Sequence, residues 1–155
     1  MNYEAHMRSA IAAAEEAALR GELADGAVAI LDEALVATAR DGVATTGDPT
    51  AHAVIGVVRA AARRLGRGSL AGVTVFCVAE PCAMCVGALL AADADGVVFA
   101  IPDPRAGACG GALQLPVPPG RVRGLRIVSG ILRDRAAELR PDLDDRPAAR
   151  TRAIS

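Results

Sequence analysis

The chain has 155 residues, 52% of them apolar, with 17 basic against 18 acidic side chains. That length and apolar share suit one compact domain, residues 1–155 with its core at 25–140, and exclude a disordered chain away from the ends. A net charge of −1 lacks the basic balance usual in nucleic-acid binders, and 2% aromatics leave few rings for stacking bases.

Residues 3–20 place Met7, Ile11, Ala14 and Ala18 at helical spacing, and Gly21 suits the end of that helix. Two apolar runs, 27–31 and 34–38, flank Asp32-Glu33 and predict a hairpin through an unfavoured turn pair. Residues 41–49 read as a Gly- and Thr-rich loop. A second helix is expected from Thr50, capped by Thr50 or Asp48, with Val54, Val57, Val58, Ala61 and Leu65 on its apolar face. A buried strand at 73–79 leads into a third helix, with Pro81 at its first position, running to Ala92. A fourth strand spans 96–101, a Pro-rich connection 115–120, a fifth strand 125–128 and a last helix 131–139. The charged tail beyond Pro141 is expected to fray.

This order predicts an α/β domain with helices on both faces of a five-stranded mixed sheet, its third and fourth strands parallel. No run reaches the roughly 18 apolar residues of a membrane span. The first twenty residues, broken by Glu4, Glu15 and Glu16, do not read as a signal peptide, so a cytoplasmic location is expected. Four cysteines there are expected to be ligands or core residues rather than disulfides. Arg59, Arg63, Arg64 and Arg67, and then Arg121, Arg123 and Arg126, read as solvated surface.

The chemistry concentrates in two stretches, Asp48-Pro49-Thr50-Ala51-His52 and Pro81-Cys82-Ala83-Met84-Cys85. Two cysteines three positions apart present both sulfurs from the first turn of a helix. A histidine at another helix start completes three ligands and leaves a fourth position open, the pattern of a catalytic zinc. The positive end of a helix favours thiolates, and zinc makes water a nucleophile at neutral pH. His52, Cys82 and Cys85 are therefore the expected ligands. Cys77 and Cys109 read as core and loop thiols, and His6 as a solvated residue.

These stretches, with Glu80 before the cysteines and Asp103-Pro104-Arg105-Ala106-Gly107-Ala108-Cys109-Gly110 after the fourth strand, resemble the zinc-dependent nucleoside and nucleobase deaminases. The branch is that of tRNA adenosine deaminases and guanine deaminases. The resemblance, over about residues 25–113, implies a three-layer α/β/α cytidine-deaminase-like fold, bound zinc, a homodimer and a substrate pocket lined by Asp103. Two positions depart from it. The family's proton-shuttling glutamate falls at Val54, which by periodicity belongs to an apolar helix stripe. Its substrate-binding asparagine falls at Asp41, which when ionised only accepts hydrogen bonds.

Asp41 is thus the candidate replacement acid/base as well as a substrate contact, and Glu80 ranks below it. Three functions follow from these residues. One is a hydrolase of a nucleobase, nucleoside or similar amino-heterocycle with weakened catalysis, tRNA being the less favoured substrate. Another is a zinc-retaining binding or regulatory protein without hydrolysis. The third is a zinc enzyme acting on a different heterocycle, such as a triazine or pterin.

Overall fold

A computed structural model of the chain describes residues 1–115 and 124–144. Its elements are α1 (Tyr3–Leu19), β1 (Gly26–Leu31), β2 (Ala34–Arg40), α2 (Val43–Thr46), α3 (Ala53–Leu65), β3 (Thr74–Ala79), α4 (Ala83–Ala91), β4 (Gly96–Ile101), β5 (Arg126–Ser129) and α5 (Arg133–Leu139). A 3-10 turn, Pro141–Leu143, follows α5. The strands form one mixed sheet in the order β2-β1-β3-β4-β5. β1 runs antiparallel to both β2 and β3, whereas β3, β4 and β5 are parallel.

Alternation along the three central strands decides the layering, because successive side chains leave a strand on opposite faces. Ala27, Ala29, Val75, Cys77, Val97 and Phe99 face α3 and α4. Val28, Ile30, Phe76, Val78, Val98 and Ala100 face α1 and α5. β3 and β4 are buried at every position, as strands covered on both faces must be. The fold is the expected three-layer α/β/α arrangement on a five-stranded mixed sheet.

The hairpin forms through Asp32 and Glu33, both with positive φ (49° and 65°). This is the type I′ geometry that matches strand twist; Asp32 suits its first position, whereas Glu33 stands where glycine is preferred. Local compensation is visible. Glu33 Oε2 accepts from the Asn2 N–H and lies 3.0 Å from His6 Nε2. His6 is consequently not the solvated residue expected; its ring is half-buried and meets the edge of Phe76.

Local hydrogen bonding shifts several other expected boundaries. Asp48 does not cap a helix at Thr50. Its Oδ1 accepts from Thr50 N–H at 2.8 Å and Thr50 Oγ1–H at 2.7 Å, and this Asx turn delays α3 to Ala53, with His52 at the N-cap. Cys82, rather than the residue before Pro81, is the N-cap of α4, which places Pro81 outside the helix. Within the expected loop at 41–49, α2 forms one turn because the Glu22 carboxylate accepts from the Ala44 and Thr45 N–H groups. Leu132, in a left-handed conformation, delays α5 to Arg133.

Beyond Pro141 the chain does not fray at once, since Leu143 is buried against the α1/α5 core. Residues 145–155 and most of the Pro-rich connection, 116–120, lie outside the described residues, as do Arg121 and Arg123. Arg59, Arg63, Arg64 and Arg67 are exposed, as read. No described helix is long and apolar enough to cross a membrane.

Candidate functional site

Two helix starts meet on the α3/α4 side of the sheet. α3 begins at its N-cap His52 and α4 at its N-cap Cys82, with Cys85 one turn further in. His52 Nδ1 lies 3.5 Å from Cys82 Sγ and 3.6 Å from Cys85 Sγ. All three donor atoms fall within 4.8 Å of one another. Tetrahedral zinc with ordinary Zn–N and Zn–S bonds needs ligand separations of about 3.5–3.8 Å. The two His52–sulfur distances and the N/S donor set fit that requirement, so the residues read as ligands in the sequence are brought together.

One of the two thiols is already drawn toward its thiolate form. Cys82 is drawn down to about 5, chiefly because Cys85 donates a hydrogen bond to it, while Cys85 is pushed up in consequence. Among the described residues no cysteine is paired in a disulfide, and Cys77 is a core thiol in the strand behind the site.

The three donors open onto a cavity of about 210 Å³, lined also by Leu23, Val54, Pro81 and Ala106 and by the charged groups Asp25, Asp41, Glu80, Asp103 and Arg140. Its size suits one small heterocycle, being below the roughly 300–1,000 Å³ of drug-sized pockets. A neighbouring depression shares Leu23, Asp41 and His52 with it. Val54 is 2% exposed, buried in the α3 stripe and bordering the ligands without any atom that carries a proton.

The four carboxylates are engaged to different degrees. Glu80 is saturated: Oε1 accepts from Asp103 N–H, and Oε2 from the Cys109 and Gly111 N–H groups. A side chain at Gly107 or Gly111 would run into this carboxylate, so both glycines are sterically required. Asp103 Oδ1 accepts from Arg105 and Ala106 N–H. Asp41 is 5% exposed and accepts from Val43 N–H through Oδ1. Burial raises its proton affinity, which the Val43 bond and the nearby His52 lower and the Glu22 charge raises.

Asp25 was not singled out from the sequence, nor was Arg140. Gly26 N–H and Ala79 N–H donate to Asp25 Oδ1 at 3.0 and 3.2 Å. The protein surrounds Asp25 closely, and this burial pushes its carboxyl up to about 6 against the Ala79 bond and the Arg140 charge. Arg140 is 6% exposed, and its Nε and Nη2 donate to the two carboxylate oxygens of Asp142. The available signal was slight: an acidic residue directly ahead of an all-apolar strand, and an arginine closing a short helix.

Residues 1–101 match the family described as the cytidine and deoxycytidylate deaminase zinc-binding region. The tRNA-specific adenosine deaminase of Bacillus subtilis is 33% identical over 131 residues, covering 84% of this chain and 81% of the relative. The guanine deaminase of the same organism is 36% identical over 103 residues, covering 64% and 65%. Two proteins named tRNA(Ile)-lysidine synthase, from Deinococcus deserti and Deinococcus radiodurans, are 36% and 37% identical. The chain spans only 27% and 26% of their lengths. A solved structure from work on A-to-I editing by tRNA:A34 deaminases superposes with a TM-score of 0.83 at 30% identity, over 87% of this chain and 98% of that one.

Proposed function

The chain belongs to the cytidine and deoxycytidylate deaminase zinc-binding family, and we propose that it is a hydrolytic deaminase of a free nucleobase, nucleoside or similar amino-heterocycle. The observation that carries this reading is the His52, Cys82 and Cys85 triad, spaced for zinc and opening on a small cavity lined by carboxylates. When bound, zinc supplies a Lewis acid that makes water nucleophilic near neutral pH. The chain's own residues exclude bulk water, orient the ring and handle protons.

In this reading the whole of 1–155 is one deaminase-like domain with its core at 25–140. Asp103 and Asp41 contact the polar edge of the ring, and Asp41 is the replacement acid/base that the sequence suggests first. Catalysis is weakened because position 54 is a valine; loss of a general acid–base costs about 10²–10⁴-fold. A net charge of −1 and the size of the cavity favour a small molecule over tRNA. The proposal extends to a homodimer in the cytoplasm, for which exposed Met84 and Leu113 beside the site offer apolar contact surface. Light scattering of purified chain at twice the monomer mass would support the dimer.

A second reading, a zinc-retaining binding protein without hydrolysis, is favoured by one observation, the burial of Val54 where a proton shuttle is needed. One paired measurement separates the two: zinc per chain, and ammonia release from bases, nucleosides, triazines and pterins. Zinc near one with ammonia released supports the hydrolase. Zinc near one with no ammonia, restored by Val54→Glu, supports the binding protein. A chain without zinc would refute both.

A further inference from the structure

We propose that Asp25 is the catalytic carboxylate that takes up and returns the proton in amine displacement, and that Arg140 is its positioning residue. This rests on the deaminase reading above and replaces Asp41 in the proton-handling part of it, leaving Asp41 the substrate contact.

Hydrolytic deamination converts an amino-bearing ring carbon and water into a carbonyl and ammonia. The water oxygen bonds to the carbon, the ring nitrogen gains a proton, and the C–N bond then breaks as the amine leaves with a further proton. Both protons originate in the water, so one group must carry them from oxygen to nitrogen. Val54 cannot. Of the carboxylates on the cavity wall, Glu80 has both oxygens bound to backbone N–H groups. Asp41 is bound to the start of α2 and shares its surroundings with Glu22, so its charge answers to that neighbour. The Asp103 carboxylate is held only by its own turn, through Oδ1.

Asp25 differs. Both backbone donors fall on Oδ1, and Oδ2 has no hydrogen-bond partner among the described residues. Every fully enclosed side-chain oxygen among them does have a partner, so Oδ2 is open to solvent, and Asp25 lines the cavity. Its charge is felt at Cys85, while none of its hydrogen bonds reaches a ligand. The titratable groups near enough to act on it through charge are Arg140 from the end of α5, Asp41 from the end of β2, Cys77 from β3 and Cys85 from α4. His52, Glu80 and Asp103 complete the wall.

Arg140 lines the same cavity. Its Nε and Nη2 are clamped by Asp142, and Nη1 has no partner among the described residues. It thus holds positive charge against a carboxylate that burial alone would keep protonated. The result, near 6, lies where a group can both accept and return a proton at neutral pH.

The test uses the full zinc-loaded chain and its Asp25→Asn, Asp41→Asn and Arg140→Gln variants. Zinc content and thermal melting establish that each variant is folded and loaded. Asp25→Asn is expected to keep its zinc and its KM while kcat falls at least about 100-fold. Asp41→Asn is expected to change KM and keep the pH profile. Arg140→Gln should move the acid limb of kcat/KM to higher pH, because losing the cation disfavours the ionised base.

The readout independent of turnover is carboxyl-carbon NMR of aspartate-labelled, zinc-loaded protein. One resonance should titrate well above ordinary aspartates, vanish in Asp25→Asn and move upward in Arg140→Gln. Ammonia release that survives in a loaded Asp25→Asn variant overturns the proposal alone. So does the absence of an elevated resonance that the Asp25 substitution removes. Loaded wild-type protein that releases no ammonia from any substrate overturns the deaminase reading, and the proposal with it.

Discussion

The two walls of the cavity treat a carboxylate in opposite ways. On the wall built by residues 103–111, Glu80 accepts three backbone N–H groups and glycines 107 and 111 make room for it. On the wall built by the start of β1 and the end of α5, Asp25 accepts two N–H groups through one oxygen only. The difference separates an anion that organises backbone from one that remains available. A fully satisfied buried carboxylate stabilises its loop, whereas a half-satisfied one costs stability.

The broadest way to break this comparison is to remove what the two walls enclose. Cys85→Ala should reduce zinc from near one to near zero per chain by elemental analysis, since two donors rarely hold the ion. Next in size, Glu80→Ala strands three N–H donors. Urea unfolding should show a loss of about 4 kcal/mol, given the usual worth of charge-assisted bonds.

Asp25→Asn should have the reverse sign. Its carboxyl is pushed up to about 6 in the folded chain, above the 3.8 of an ordinary aspartate, so the folded chain binds the proton more tightly. Stability is therefore full below that lower value and is lost as pH rises through 6, by on the order of 2–3 kcal/mol. The variant should match wild type in urea unfolding at pH 4 and exceed it by a similar amount at pH 7. An equal effect at both would show that Asp25 is not strained by its charge. The smallest effect belongs to a surface control. Arg135 pairs with Glu15 and Glu138 in the open, and Arg135→Ala should shift unfolding by no more than about 1 kcal/mol.

Much of this architecture was legible from local signals. Strand burial, helix periodicity and the short Cys-x-x-Cys spacing each depend on near neighbours in sequence, and they led to the sheet, the layers and the His52, Cys82 and Cys85 group. What was missed depended on specific bonds or distant partners. Asp48 looked like a cap because its preference for Thr50 over a helix end is a matter of side-chain orientation. Asp25 resembled an ordinary residue ahead of a strand, and only the fold brings it to Arg140. Val54 shows a further limit: its burial was readable, but periodicity attaches no chemistry to a valine.

The start of β1 carries one more implication. A Cβ at Gly26 would sit 2.5 Å from both the Ala10 carbonyl oxygen and the Ala14 nitrogen, so helix and strand backbones touch there. Asp25 is the residue immediately before that contact, and its anchored oxygen is tied to the same Gly26 N–H. Its position is thus fixed by a close junction between α1 and the sheet, before any ligand arrives. Folding, rather than substrate binding, meets the entropic cost of aiming it, which is what preorganisation means for a group that must act within a fraction of an ångström.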